Sequence, residues 1–451
     1  MIVESAKRAA SFAFERFNSV LIISIAALLM QIPSFYGEDI VNARKNFQYG
    51  SKIDFWGGMS SLVYAHVPNF GIRWQIWLAI FQITLTYLAL NKILPNTNQT
   101  KMRRLVKYLA IYSAITFSSQ MTRDGLMFSL LIFGFAKLIS NLSKEPSSKF
   151  IQIIWPLLIV SIGMSFRPWL SLAIFPMIFV ILKMNQIKLS RLAISALMVF
   201  VTLSPLMLEL TATKALQLNR GFPQQQVMMM DAAATYCYTT NITTGEIAKK
   251  ALQVFSEDPN YTKIVCQLFR PDTWLSLTKA INASSVGFEV DFNLINTTEI
   301  LRYKELESKW INFIVRDPVT YFQNKILFAS KLLIGSDSRN LTVLSADSLA
   351  MGILGFYRLL YDVAVTLHFF SFAFCIFMLF LIPIVRSIRN KKTEVLIDQF
   401  TIFSLLAIFL WTSLSSIAYL GSNGRYTYSL SILIFILYIS KKRTMNFEKN
   451  E

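Results

Sequence analysis

Apolar runs recur along the chain at roughly 18–34, 74–94, 105–120, 125–141, 150–166, 168–184, 192–210, 361–385, 396–420 and 427–440. A helix rises 1.5 Å per residue and the hydrocarbon layer is about 30 Å thick, so the pattern predicts about ten transmembrane helices. The fifth and sixth runs are parted only by Arg167. Two longer polar stretches interrupt the series, at 35–73 and 211–350. The pattern therefore predicts an N-terminal membrane module over 1–210, a mostly helical external domain over 211–350, and C-terminal membrane helices over 351–451.

The short polar loops are not equivalent. Lys7, Arg8 and Arg16 precede the first run, and Lys101, Arg103, Arg104 and Lys107 follow the second. Lys144 and Lys149 follow the fourth, and Lys183, Lys188 and Arg191 the sixth. Arg386, Arg389, Lys391 and Lys392 follow the eighth, and Lys441, Lys442 and Arg443 the tenth. Counting spans, every cluster falls on one side, which the positive-inside rule makes cytoplasmic together with both termini. Residues 211–350 carry 14 Lys and Arg against 13 Asp and Glu, a near balance that reads as external. That segment is expected to form a small helical layer on the bilayer. Residues 35–73, with Trp56 and Tyr64 and with Trp74 and Trp77 beyond them, are expected to supply one or two helices at headgroup depth.

Composition agrees with this reading and narrows it. Of the 451 residues 54% are hydrophobic and 16% charged, with 37 Phe and a mean hydropathy of +0.47, which excludes a soluble enzyme. The net charge of +18 suggests nucleic acid in a soluble protein, but here it resides in the cytoplasmic loops, so no nucleic-acid partner is expected. The first apolar run shows no small-residue cleavage site and reads as a span. Three cysteines and two histidines are too scattered to build a zinc or haem site, so neither metal nor cofactor is predicted. Cys237 and Cys266 either pair in an oxidising compartment or remain two reduced thiols.

Charge beside hydrocarbon is costly and tends to be kept for a purpose. On the predicted topology five places fall at external span ends: Glu38-Asp39, Arg123-Asp124, Arg167, Asp231 and Arg425. A bundle can gather them around one cavity. A shielded carboxylate at Glu38 or Asp39 suits a base that accepts a proton from an attacking hydroxyl, although a solvated loop carboxylate fits the same segment. Arg123 and Asp124 are either a local ion pair capping a span or part of an anion site; Arg167 is either a snorkelling side chain or part of that site. Arg425, between Gly424 and Tyr426, carries a fork that matches phosphate oxygens, and Tyr426 fits an aromatic belt. Together these residues suit a lipid phosphate whose linked group passes to an acceptor hydroxyl.

The segment GEDIVNARKNFQYGSKIDFWGGMSSLVYAH resembles the first external loop of GT-C glycosyltransferases, in which an acidic residue soon after span one precedes an aromatic-rich stretch and surface helices. On that resemblance Asp39 stands at the catalytic acidic position. Asp54 resembles the acid of an Asp-Trp-His stretch, but Phe55 and Trp56 follow it. TRDGLMF, FRPWLSLAIFP, MMMDAAATYCY, IVRDPVTYFQNKILFASKLL and GRYTYSL resemble further family elements in order. The resemblance implies an inverting transfer of one sugar from a polyprenyl-phosphate carrier to a cell-surface or lipid-linked glycan, at the external face of a bacterial inner membrane. Serotype-modifying O-antigen glucosyltransferases have this layout. Arg123, Asp124, Arg167, Asp231 and Arg425 would hold the carrier phosphate, with Glu38, Asp54 and Tyr426 in support. A glycan polymerase or ligase using polyprenyl-diphosphate oligosaccharides is the alternative. A transporter would place polar groups near the bilayer midplane and show paired half-chain repeats, neither of which is visible; Lys137 and Asp362 read as snorkelling. His66 and His368 are too isolated for an acyltransferase.

Overall fold

The computed structural model describes residues 35–37, 43–45, 47–48, 52, 57–68, 74–94, 110–115, 117–118, 122–142, 150–184, 187, 190–219, 224–254, 259–269, 297–334, 344–346, 372–389, 399–417 and 429–438. They are almost entirely helical. Helices α1 (Gly58–His66), α2 (Trp74–Ile93), α3 (Arg123–Leu142), α4 (Phe150–Met164), α5 (Ser171–Met184) and α6 (Arg191–Ala215) come first. A 3₁₀ turn, Pro168–Leu170, joins α4 to α5. Next come α7 (Gln224–Tyr238), α8 (Ile242–Leu252), α9 (Pro259–Leu268), α10 (Thr297–Arg316) and α11 (Pro318–Ile334). The last three are α12 (Phe372–Arg389), α13 (Gln399–Ile417) and α14 (Ser429–Tyr438). An all-helical chain was expected; two three-residue strands, β1 (Phe35–Gly37) and β2 (Leu344–Ala346), pair antiparallel with Tyr36 opposite Ser345. Three-residue strands carry too few alternating positions to be read from a sequence.

Four of these helices, α2, α3, α6 and α13, are long and apolar enough to cross a membrane, and α4, α5 and α14 contain shorter apolar stretches. Their bounds follow the apolar runs to within a few residues. The first run, 18–34, and the N-terminal part of the eighth lie outside the described residues. Prolines 156, 176 and 205 sit inside α4, α5 and α6, a placement that membrane helices tolerate when neighbours satisfy the freed carbonyl.

Two apolar cores are present. The first joins the long apolar helices: α3 packs on α4 and α2, and α5 packs on α13. Glycines let α3 and α4 approach closely, since a Cβ on Gly134 would lie 2.7 Å from Val160 and one on Gly163 would lie 3.0 Å from Leu130. Helix α6 lies at the edge. Only 11% of its most apolar stretch is buried, leaving Val199, Leu203 and Met207 facing outward. The second core is built by α7 to α11 around Met229, Tyr261, Leu306 and Phe313. Helix α11 belongs to both, with Phe328 in the second core and Leu333 against the first. The disulfide between Cys237 and Cys266 (Cα–Cα 5.3 Å) ties α7 to α9, which decides between the two thiol states expected above.

Candidate functional site

Helix α3 begins at the Arg123-Asp124 dipeptide because Thr122 caps it, its hydroxyl accepting from Gly125 N at 3.0 Å. Asp124, 2% exposed, therefore sits in the first helical turn, where a carboxylate is favoured. Arg167 ends the turn after α4 with φ -147° and ψ 61°, a backbone outside the helical region that the following Pro168 disfavours. Its Nε donates to Asp124 Oδ1 at 3.0 Å and its Nη2 to Oδ2 at 3.3 Å, a two-pronged fork closed inside the protein. Asp124 thus has a partner at the far end of the next helix, and Arg167, 3% exposed, is no snorkelling side chain. Arg123 is half-buried at the start of the same helix.

The segment around α1 is anchored beside this fork. Gly57 adopts φ +90° and leads into α1, whose first amides, Gly58 N and Met59 N, donate to the Glu209 carboxylate at 2.6 and 2.8 Å. A helix N-terminus favours that negative charge. Gly57 is required by its φ of +90°, and Gly58 by contact, since a Cβ there would meet the Thr213 backbone N at 2.4 Å. At the other end of α1, Arg44 Nη1 donates to the carbonyls of Tyr64 (3.0 Å) and Val67 (2.9 Å), and its guanidinium lies 4.8 Å from the Trp74 ring. The buried Tyr64 ring stands 6.4 Å from Phe166, next to Arg167. Lys52 O accepts from Asn219 N at 2.7 Å, and β1 ends at Gly37, immediately before Glu38.

Asp231 forms a second polar centre. Fully buried on α7, it accepts from Lys325 Nζ at 2.7 Å and from Trp310 Nε1 at 3.0 Å. Burial pushes its carboxyl above the usual range, and the Lys325 charge and the two hydrogen bonds oppose that rise. Beside it, Asn324 Nδ2 donates to Thr235 Oγ1 at 2.9 Å. Lys325 Nζ also approaches Ile417 O at 3.4 Å, placing a cation at the C-terminus of α13.

The two centres lie toward one end of the helical bundle. Helix α13 runs antiparallel to α5: Ser404 reaches Met177, Phe403 meets Phe179, and the later part of α13 packs on the Pro168–Leu170 turn. From Ser404 to Ile417 the helix climbs about 20 Å, and from Met177 back to Pro168 the rise is roughly 14 Å. Ile417, and Lys325 with it, therefore ends within about two turns of the Arg167 level. The described residues among those expected around one cavity form two centres, the Arg167–Asp124 fork and the Asp231–Lys325 pair, the latter at the C-terminus of α13.

Glu38, Asp39, Asp54, Arg425 and Tyr426, together with Asp362 and His368, lie outside the described residues. Of the remaining singled-out residues, Lys137 is half-buried with its ammonium 5.5 Å from the Phe133 ring, and His66 Nδ1 lies 2.7 Å from Leu62 O in its own helix. Among the described residues no group of three or more His, Cys, Asp or Glu is placed to hold a metal ion. Sequence reasoning missed Glu209, Lys325 and Trp310. Glu209 carried a signal, being the one acidic residue in α6, as did Lys325, a cation among apolar neighbours. Comparison of the chain with protein-family models, with characterised proteins and with solved structures found no match.

Proposed function

We propose that the chain is a polytopic membrane glycosyltransferase of the GT-C type, which moves a sugar from a polyprenyl-phosphate carrier to a glycan acceptor at the external face of a bacterial inner membrane. About ten spans, both termini in the cytoplasm and a helical external layer complete the proposal. The observation that carries it is convergence. The anchored first loop, the Arg123-Asp124 start of α3, the Arg167 turn and the Asp231–Lys325 pair come from distant parts of the chain, and they lie toward the same end of the bundle. The Cys237–Cys266 disulfide supports an oxidising compartment on that side.

In this reading Asp39 takes the proton of the acceptor hydroxyl as its oxygen attacks the anomeric carbon. The bond from that carbon to the phosphate oxygen breaks, the configuration inverts, and the carrier leaves as polyprenyl phosphate. Arg123 and Arg425 offset charge on the departing phosphate. Arg167 acts through Asp124, holding the start of α3 at the rim. The test is purified chain in detergent supplied in parallel with a polyprenyl-phosphate hexose and a polyprenyl-diphosphate oligosaccharide. Loss of sugar from the monophosphate carrier, abolished in Asp39→Asn, is expected. Consumption of the diphosphate carrier alone would identify a polymerase or ligase, and full turnover by Asp39→Asn would remove Asp39 as the base.

A further inference from the structure

Helix α11 is apolar on two sides. Its inward side carries Lys325 and Phe328, and Val319, Phe322 and Ile326, spaced three and four apart, are 64%, 63% and 67% exposed. Helix α10 ends in the same manner, with Ile311 and Val315 at 48% and 74% exposure. Trp310 and Lys325 both reach Asp231, so the side of each helix that faces α7 is known. At about 100° per residue, Ile311 and Val315 stand 100–140° around α10 from Trp310, and Val319 and Ile326 stand 100–120° around α11 from Lys325. Ile311, Val315, Val319 and Ile326 thus turn away from α7 on both arms of the corner at Asp317-Pro318, and Phe322, about 60° from Lys325, is exposed beside them.

The outward surface of α10 mixes polar and apolar side chains. Its earlier outward positions include Lys304, Glu305 and Ser308, exposed and polar, with Leu301 (61% exposed) among them, and toward the corner Ile311 and Val315 join it. Beyond the corner α11 descends along α13 until Leu333 packs against the first core. Where Lys325 meets Ile417 O, the outward face of α13 continues the apolar surface with Ile417 and Phe409, 57% and 66% exposed. Exposed apolar side chains on both arms of the corner, charged neighbours beside them and continuity with an outward-facing apolar helix fit an element that lies in the interface.

We propose that the α10–α11 corner is immersed at the headgroup–acyl boundary, with Ile311, Val315, Val319, Phe322 and Ile326 in contact with lipid. The proposal rests on the reading of the long apolar helices as membrane spans and is independent of glycosyl transfer. Cys375 is buried and the other two cysteines are paired, so an introduced cysteine is the thiol that takes a spin label. The full chain, reconstituted in vesicles of phosphatidylethanolamine and phosphatidylglycerol, is labelled at Phe322→Cys or, as a second site, Val319→Cys. Glu305→Cys and Leu203→Cys on α6 serve as references. The ratio of oxygen to nickel-chelate collision rates is expected above unity at 322, 319 and 203 and below unity at 305. A ratio below unity at 322 and 319, with 203 above it, would place the corner in water and overturn the proposal alone. Low collision with both reagents at 322 and 319 would mean a protein partner, also overturning it. A ratio below unity at 203 as well would overturn the membrane reading beneath it.

Discussion

Replacing Lys325 with methionine should destabilise the chain by about 3–5 kcal/mol, the range for removing one partner of a buried ion pair. The side chains are similar in size, so the loss is electrostatic. Asp231 has no exposed surface and accepts from Lys325 at 2.7 Å and from Trp310 at 3.0 Å. The ammonium is the main influence opposing the effect of burial on the carboxyl. Without it, Asp231 is stranded as a buried carboxylate or must take up a proton. The double variant Asp231→Leu/Lys325→Met removes both charges and leaves chiefly the Trp310 N–H to be satisfied, at about 1–3 kcal/mol. It should therefore be more stable than Lys325→Met alone. The pH dependence has a definite sign. A carboxyl whose folded pKa lies above its unfolded value costs stability most fully above the folded pKa, so the Lys325→Met deficit should shrink as pH falls toward the ordinary carboxylate range. Unfolding by SDS in mixed micelles, followed by circular dichroism across pH, measures each quantity. Additive losses in the double variant would refute the coupling, and a pH-independent deficit would refute the stranded carboxylate.

The anchor of the first loop makes a second prediction. Glu209→Gln should weaken the hold on α1 by about 1–2 kcal/mol through loss of charge at a helix N-terminus. Gly58→Ala should cost about 1–3 kcal/mol by forcing a Cβ against the Thr213 backbone; hydrogen exchange over Gly58–His66 should accelerate in both, and unchanged exchange would deny the anchor. Reduction of Cys237–Cys266, which are 29 residues apart, should cost the second core about 3–4 kcal/mol by loop entropy, read as faster proteolysis within α7 to α9. Asp317 caps α11 by accepting from Thr320 N at 3.0 Å, and that backbone bond leads the interactions holding its carboxyl below the usual range. Its stabilisation is complete above the unfolded pKa and fades as pH falls through the lower folded pKa. Asp317→Ala should cost about 1 kcal/mol at neutral pH and progressively less in acid, checked by exchange in the first turn of α11.

The approximate bounds of the described apolar helices were legible in the sequence alone, because an apolar helix is a local property: apolar residues in sufficient number, with a cap such as Thr122 or a proline such as Pro168 at the start, whereas the bounds of α7 to α11 were not. The importance of Arg123-Asp124, Arg167 and Asp231 was legible for a related reason, since each is a charge next to an apolar run. Partnership was decided only by tertiary structure. Nothing local pairs Asp124 with Arg167 over 43 positions or Asp231 with Lys325 over 94, because helix packing chooses which ends meet. Glu209 has an intelligible role only once the amides of Gly58 and Met59, 151 and 150 positions away, arrive beside its carboxylate, with the Gly58 Cα too close to the Thr213 backbone for a Cβ to fit. The outward apolar faces of α6 and the α10–α11 corner likewise appear only after packing has used the other sides of those helices, since hydrophobic periodicity marks a face without saying whether protein or lipid will cover it.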